Sequence, residues 1–131
     1  MLIIVPTYAA VLVLLYVALA MRVIRMRRSA KIAIGSGGNA RLERLMRVHA
    51  NFAEYVPLAL LLLAFVELQG RPSWQVHVLC LALVAGRVIH AYGVSQEDEA
   101  IGLRTAGIVT TFAVLLAAAV ALLGNGLRAL A

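Results

Sequence analysis

Apolar positions gather into four long runs, about Leu2 to Met21, Phe52 to Gln69, Trp74 to Val94 and Thr105 to Leu123, separated by short polar stretches. A run of about 20 apolar residues is enough for one helix to cross a hydrocarbon core of roughly 30 Å. The pattern predicts an all-α integral membrane protein, a four-transmembrane-helix bundle forming a single domain over residues 1–131. The first run has no basic residue before it and no cleavage-site pattern after it, so it reads as a retained span rather than a secretory signal.

Punctuation between the runs sharpens the boundaries. Helix one is expected from about Ile3 through Arg25 or beyond, with Arg22, Arg25, Arg27, Arg28 and Lys31 leaving the membrane. Gly35-Ser36-Gly37-Gly38 then breaks the chain; it lacks the following Lys-Ser/Thr and the preceding strand of a phosphate loop, and reads as a turn. Asn39 is placed to cap a second helix running from near Ala40 past Pro57 to about Leu68, and Pro57 is expected to kink it just above Glu54. Gly70 to Ser73 forms a turn, with Trp74 an interfacial anchor. Helix three should end near Gly93, a solvated acidic loop should span Gln96 to Glu99, and helix four should begin around Gly102 to Arg104.

The polar positions inside these runs are few and ordered. Arg44, Arg47, Asn51 and Glu54 follow one another at spacings of three, four and three, which on a helix makes one stripe. Charge at such depth marks a functional site by default. A buried Glu54 needs a proton or a cationic partner, for which Arg47, Arg87 or a neighbouring subunit's arginine are candidates. Arg87 and His90 lie one turn apart in the third run with Tyr92 just beyond, and Arg104 opens the fourth. His49 falls off the stripe and reads as a packing or surface residue, and Glu67 as an outer residue paired with Arg71 or snorkelling.

Composition agrees: 63% of the 131 residues are hydrophobic, so no soluble catalytic domain fits and any site must come from helices and short loops. The net charge of +6 does not indicate nucleic acid, because the basic residues lack interleaved aromatics and a reading motif. Anionic lipid headgroups and an anionic small ligand suit them better. Eight Lys/Arg lie between Arg22 and Arg47, against Arg71 and Arg128 on the other side, which predicts a cytoplasmic basic loop and both termini periplasmic. Cys80 is the sole cysteine, so neither an intramolecular disulfide nor a multi-cysteine metal site is available.

Glu43-Arg44-Leu45-Met46-Arg47 leading into His49-Ala50-Asn51 and Glu54, Gly86-Arg87-Val88-Ile89-His90, Arg104 opening helix four and the four-span layout together resemble the MAPEG family, the membrane-associated proteins in eicosanoid and glutathione metabolism. The segment from His49 to Pro57 is similar to its compact bacterial branch, and the likeness covers essentially the whole chain. The resemblance implies a homotrimer in a bacterial inner membrane with a glutathione site between subunits. It assigns Arg44, Arg47, Asn51, Glu54, Arg87, His90 and Tyr92 to tripeptide binding, with Arg25 or Arg22 added from helix one. Arg104 would favour the thiolate, lowering the thiol pKa from about 8.5, for attack on a lipophilic electrophile or hydroperoxide.

Ala50 stands where some members carry another arginine, and Ile108 offers no hydroxyl where some have a tyrosine. The reading as a glutathione-dependent transferase or peroxidase therefore stands beside a non-catalytic lipid-binding or scaffold protein of the same fold. A small four-span exporter using Glu54 as a proton-coupled carboxylate is a third alternative. It fits less well, because the first span has no acidic residue and the basic asymmetry is strong.

Overall fold

The computed structural model describes residues 1–96 and 100–130. Four helices account for nearly all of them: α1 (Ile4–Ala30), α2 (Ala40–Leu68), α3 (Ser73–Ser95) and α4 (Ile101–Leu130). All four are long and apolar enough to cross a membrane. The acidic run Glu97 to Glu99 lies outside the described residues.

The local signals act at the expected places. Asn39 Oδ1 accepts from the Leu42 N–H at 2.9 Å, satisfying one of the unpaired donors that open α2. Lys31 ends α1 in the left-handed conformation (φ 55°), and Gly35, Gly37 and Gly38, all with positive φ, turn the chain back. Two ends run further than the hydropathy suggests: α1 reaches Ala30 and α4 reaches Leu130. α2 is one helix across Pro57.

Short connections make an up-and-down bundle, so the end of α1, the start of α2, the end of α3 and the start of α4 meet at one end. α3 is the most enclosed helix, α3 and α4 are the most closely associated pair, and α1 does not touch α4. The core is a column of Leu12, Leu19, Phe52, Leu63, Leu83 and Val114, with Cys80 fully buried among them. Outside it the helices expose large apolar side chains such as Leu14 (72%), Leu116 (66%) and Val120 (68%). In water this surface would drive aggregation; lipid is its proper solvent.

Small residues bring α3 and α4 together. A Cβ added at Gly107 would lie 2.6 Å from Gly86 O and from His90 N, and one at Gly93 would lie 2.7 Å from Arg104 N. Close backbone approach through small residues is how apolar helices associate in lipid, where no hydrophobic force draws them together.

Glu67 departs from its expected role. Its carboxylate accepts from the N–H groups of Ile3, Ile4 and Val5 at 2.7, 2.8 and 2.8 Å, which makes it the N-terminal cap of α1. A carboxylate there satisfies three orphan donors and complements the helix dipole. Arg71, the partner expected from the sequence, points instead to Ala121 O and Asn125 Oδ1, both at 3.4 Å.

Candidate functional site

At the end of the bundle where α1 runs into α2, a cleft of about 310 Å³ opens between α2, α3 and α4. The α2 stripe forms one wall, with Arg44, Arg47, Asn51 and Glu54 all on the lining together with Glu43 and Ala50. His90 and Val94 enter from α3 and Arg104 from α4. Six of the residues singled out from sequence thus converge, although they come from three helices.

The backbone of Arg104 is tied to α3. His90 Nδ1 lies 3.1 Å from Arg104 O; because a carbonyl only accepts, Nδ1 donates in this contact. The glycine seam makes that contact possible, since a side chain at Gly93 or Gly107 would push the first turns of α4 away from α3. Arg44 Nη1 donates to Gln96 O at 2.6 Å, which ties the outer end of the stripe to the end of α3.

Arg87 does not line the cleft. It is 1% exposed and sits behind the wall, donating from Nη1 to Asn51 Oδ1 at 2.8 Å and from Nη2 to Gly107 O at 3.3 Å. Its expected carboxylate partner, Glu54, is exposed and makes no ion pair among the described residues. Arg87 is thus a buried guanidinium on neutral acceptors, with Nε unpartnered. It fixes the Asn51 amide with Oδ1 turned inward, leaving the Nδ2 donors for the cleft.

Two further candidates fall elsewhere. Tyr92 is 59% exposed and absent from the lining, because two residues beyond His90 is roughly 200° around the helix. Val94, one turn beyond His90, takes the position instead. Spacing alone could have found it, since residues four apart share a face. Arg25 lines a separate opening with Arg22, Ser29 and Arg41. His49 stacks on Tyr16, ring centroids 4.8 Å apart, away from the cleft.

Among the described residues the lining sets three arginines against two glutamates, with Arg87 adding a further positive charge behind. It offers forked donors for carboxylates, an acidic group for an ammonium and an amide donor between them. Among the described residues no Ser, Thr, Tyr or Cys lines it, so any stabilisation of an anionic reacting atom falls to the arginines, His90 and the Asn51 amide. Among the described residues no cluster of His, Cys, Asp and Glu suited to a metal ion occurs.

Comparison with known proteins places the chain in a family. The chain is 38% identical over 86 residues to the inner membrane protein YecN of Escherichia coli strain K12, and equally to YecN of Escherichia coli O6:H1. The match spans 66% of this chain and 66% of each relative. The sequence model of the MAPEG family matches residues 5–124, reaching into all four helices and covering every residue of the cleft. The chain is a four-helix integral membrane protein that belongs to the MAPEG family.

Proposed function

We propose that the protein is a glutathione-dependent transferase with peroxidase capacity, working as a homotrimer in a bacterial inner membrane with the cleft on the cytoplasmic side. The observation that carries the reading is the convergence of Arg44, Arg47, Asn51, Glu54, His90 and Arg104 on one cleft of about 310 Å³. Glutathione has two carboxylates, one ammonium and a thiol. The arginines and the Asn51 amide match the carboxylates and Glu54 the ammonium, with Arg104 set by the thiol.

A guanidinium beside a thiol favours its ionised form by charge. The thiolate sulfur would attack an electrophilic carbon, forming the C–S bond as the leaving group departs with its electron pair. With a hydroperoxide it would attack the distal oxygen, breaking the O–O bond to give a glutathione sulfenic acid and an alkoxide that takes a proton. A second glutathione would convert the sulfenic acid to the disulfide and water. Lipophilic partners would arrive from the bilayer, which the apolar helix faces adjoin.

Self-association is supported by α2. Glu54, Leu58, Leu61, Phe65 and Leu68 continue the stripe at spacings of four, three, four and three, and all are exposed in the single subunit. The stripe runs from the cleft toward the other end of the bundle, so a neighbouring copy seated on it would border the cleft. The inner-membrane location follows the E. coli relatives, and the orientation follows the basic asymmetry.

A second reading is favoured by one specific feature: with Ala50, Val94 and no hydroxyl on the lining, the cleft is equipped for binding before it is equipped for chemistry. On that reading the protein binds glutathione or an anionic lipid without ionising a thiol. Nothing in the cleft favours the exporter. Calorimetric titration of glutathione into purified protein, followed by turnover with a panel of electrophiles and hydroperoxides, separates the readings. Binding with turnover supports the enzyme, binding without turnover supports the second reading, and no binding removes both glutathione assignments.

A further inference from the structure

A second basic opening lies beside the cleft, between the end of α1, the start of α2 and the end of α3. Arg22, Arg41 and Arg44 surround a space of about 290 Å³ together with Ser95. A shallower opening of about 300 Å³, lined by Arg22, Arg25, Ser29 and Arg41, continues it along α1. Four arginines from two helices thus share one mouth, and no carboxylate of the described residues lines either opening.

Two of these arginines are oriented without being neutralised. Arg22 Nη1 donates to Ser95 Oγ at 3.0 Å, and that hydroxyl donates to Ala91 O at 2.6 Å. Arg44 Nη1 donates to Gln96 O at 2.6 Å. Each guanidinium has five donors, so one neutral acceptor fixes its position and leaves the rest of the fork for an anion. Like charges collected with neutral acceptors repel one another until a counterion arrives, and the forked donors of arginine suit the oxygens of a phosphate.

We propose that this mouth is a binding site for the phosphate of an anionic phospholipid, adjoining the cleft and sharing Arg44 with it, and centred on Arg22 and Arg41, which the cleft does not use. Its depth selects the lipid over a free anion. Arg22 and Arg25 stand where α1 leaves its apolar run, the level of the phosphate layer, and Met26, Leu45 and Ala40 give the openings apolar edges beside the donors. The α1 arginines, one of which the resemblance would add to the tripeptide site, here gain a role of their own.

The test is thermal unfolding of the protein in nanodiscs of phosphatidylcholine with and without one part in five of phosphatidylglycerol. Wild type is compared with the double variant Arg22→Gln/Arg41→Gln and with Arg128→Gln, which removes a charge at the opposite end. The proposal expects phosphatidylglycerol to raise Tm by about 4 °C in wild type and in Arg128→Gln. In the double variant the rise should fall below half of that, whatever its starting Tm, since each protein is referenced to its own value in phosphatidylcholine. An equal rise in the double variant, or no rise in wild type, overturns the site. A rise produced as well by inorganic phosphate in pure phosphatidylcholine overturns the lipid assignment in favour of a soluble phosphate.

Discussion

Arg87 Nη1 donates to Asn51 Oδ1 across 2.8 Å, joining α3 to α2 directly behind the cleft. A guanidinium that is 1% exposed is thereby held by an amide and a carbonyl rather than by a carboxylate. The charge stays available to the cleft as a long-range field, and the amide is turned so that its donors face outward. On the proposed reading, Arg87 would act on a ligand through Asn51, as a positioning residue.

Asn51→Asp tests that relationship. A carboxylate at this position gives Arg87 a counterion, so the folded protein should be as stable as wild type or more so, while the cleft exchanges a donor for negative charge. Glutathione affinity should fall about tenfold or more, in line with the loss of a hydrogen bond to a charged group. Thermal unfolding and calorimetry on one preparation check both halves; lower stability with unchanged affinity would contradict the assignment.

Gly107→Ala should loosen the α3–α4 seam. The new methyl would lie 2.6 Å from Gly86 O and from the backbone and Cβ of His90, where no flexible side chain can yield. A loss of about 1–3 kcal/mol is expected from overpacking. Glutathione affinity should also weaken, because His90 and Arg104 are set by the same approach. Gly102→Ala, with nothing within 4 Å of the added carbon, should be neutral or slightly stabilising in the same unfolding assay.

Glu67→Gln removes the charge from the α1 cap and one of its two strong acceptors. Since three N–H groups depend on that carboxylate, a loss of about 1 kcal/mol is expected, within the usual range for a cap. Faster hydrogen exchange confined to Ile3, Ile4 and Val5 would identify the cause. Glutathione binding, at the other end of the bundle, should not change.

Much of this architecture was legible in the chain. The four runs, Asn39 as a cap and the spacing of Arg44, Arg47, Asn51 and Glu54 depend on local periodicity, which sequence displays directly. The failures are long-range. Glu67 meets residues 62–64 positions away, and nothing at either site announces the contact. Arg87 was one of three candidate partners for Glu54 by charge, whereas the bundle brings Asn51 and Gly107 to it first. Gly86, Gly93 and Gly107 show in sequence only as small residues; that two of them face each other requires the helix pairing. Tyr92 came from the resemblance, and in the single subunit the three-and-four spacing from Arg87 through His90 leads to Val94 on the cleft while Tyr92 faces outward.

The central claim is that Arg104, set beside His90 at the head of α4, ionises a bound thiol. Its most direct test is an ultraviolet difference titration of glutathione into the purified protein near neutral pH, in parallel with Arg104→Ala. The account predicts a saturable thiolate absorbance in wild type that is absent from the variant, while the variant still binds glutathione by calorimetry. Saturable glutathione binding to wild type with no thiolate absorbance, or an equal absorbance in both proteins, would contradict it.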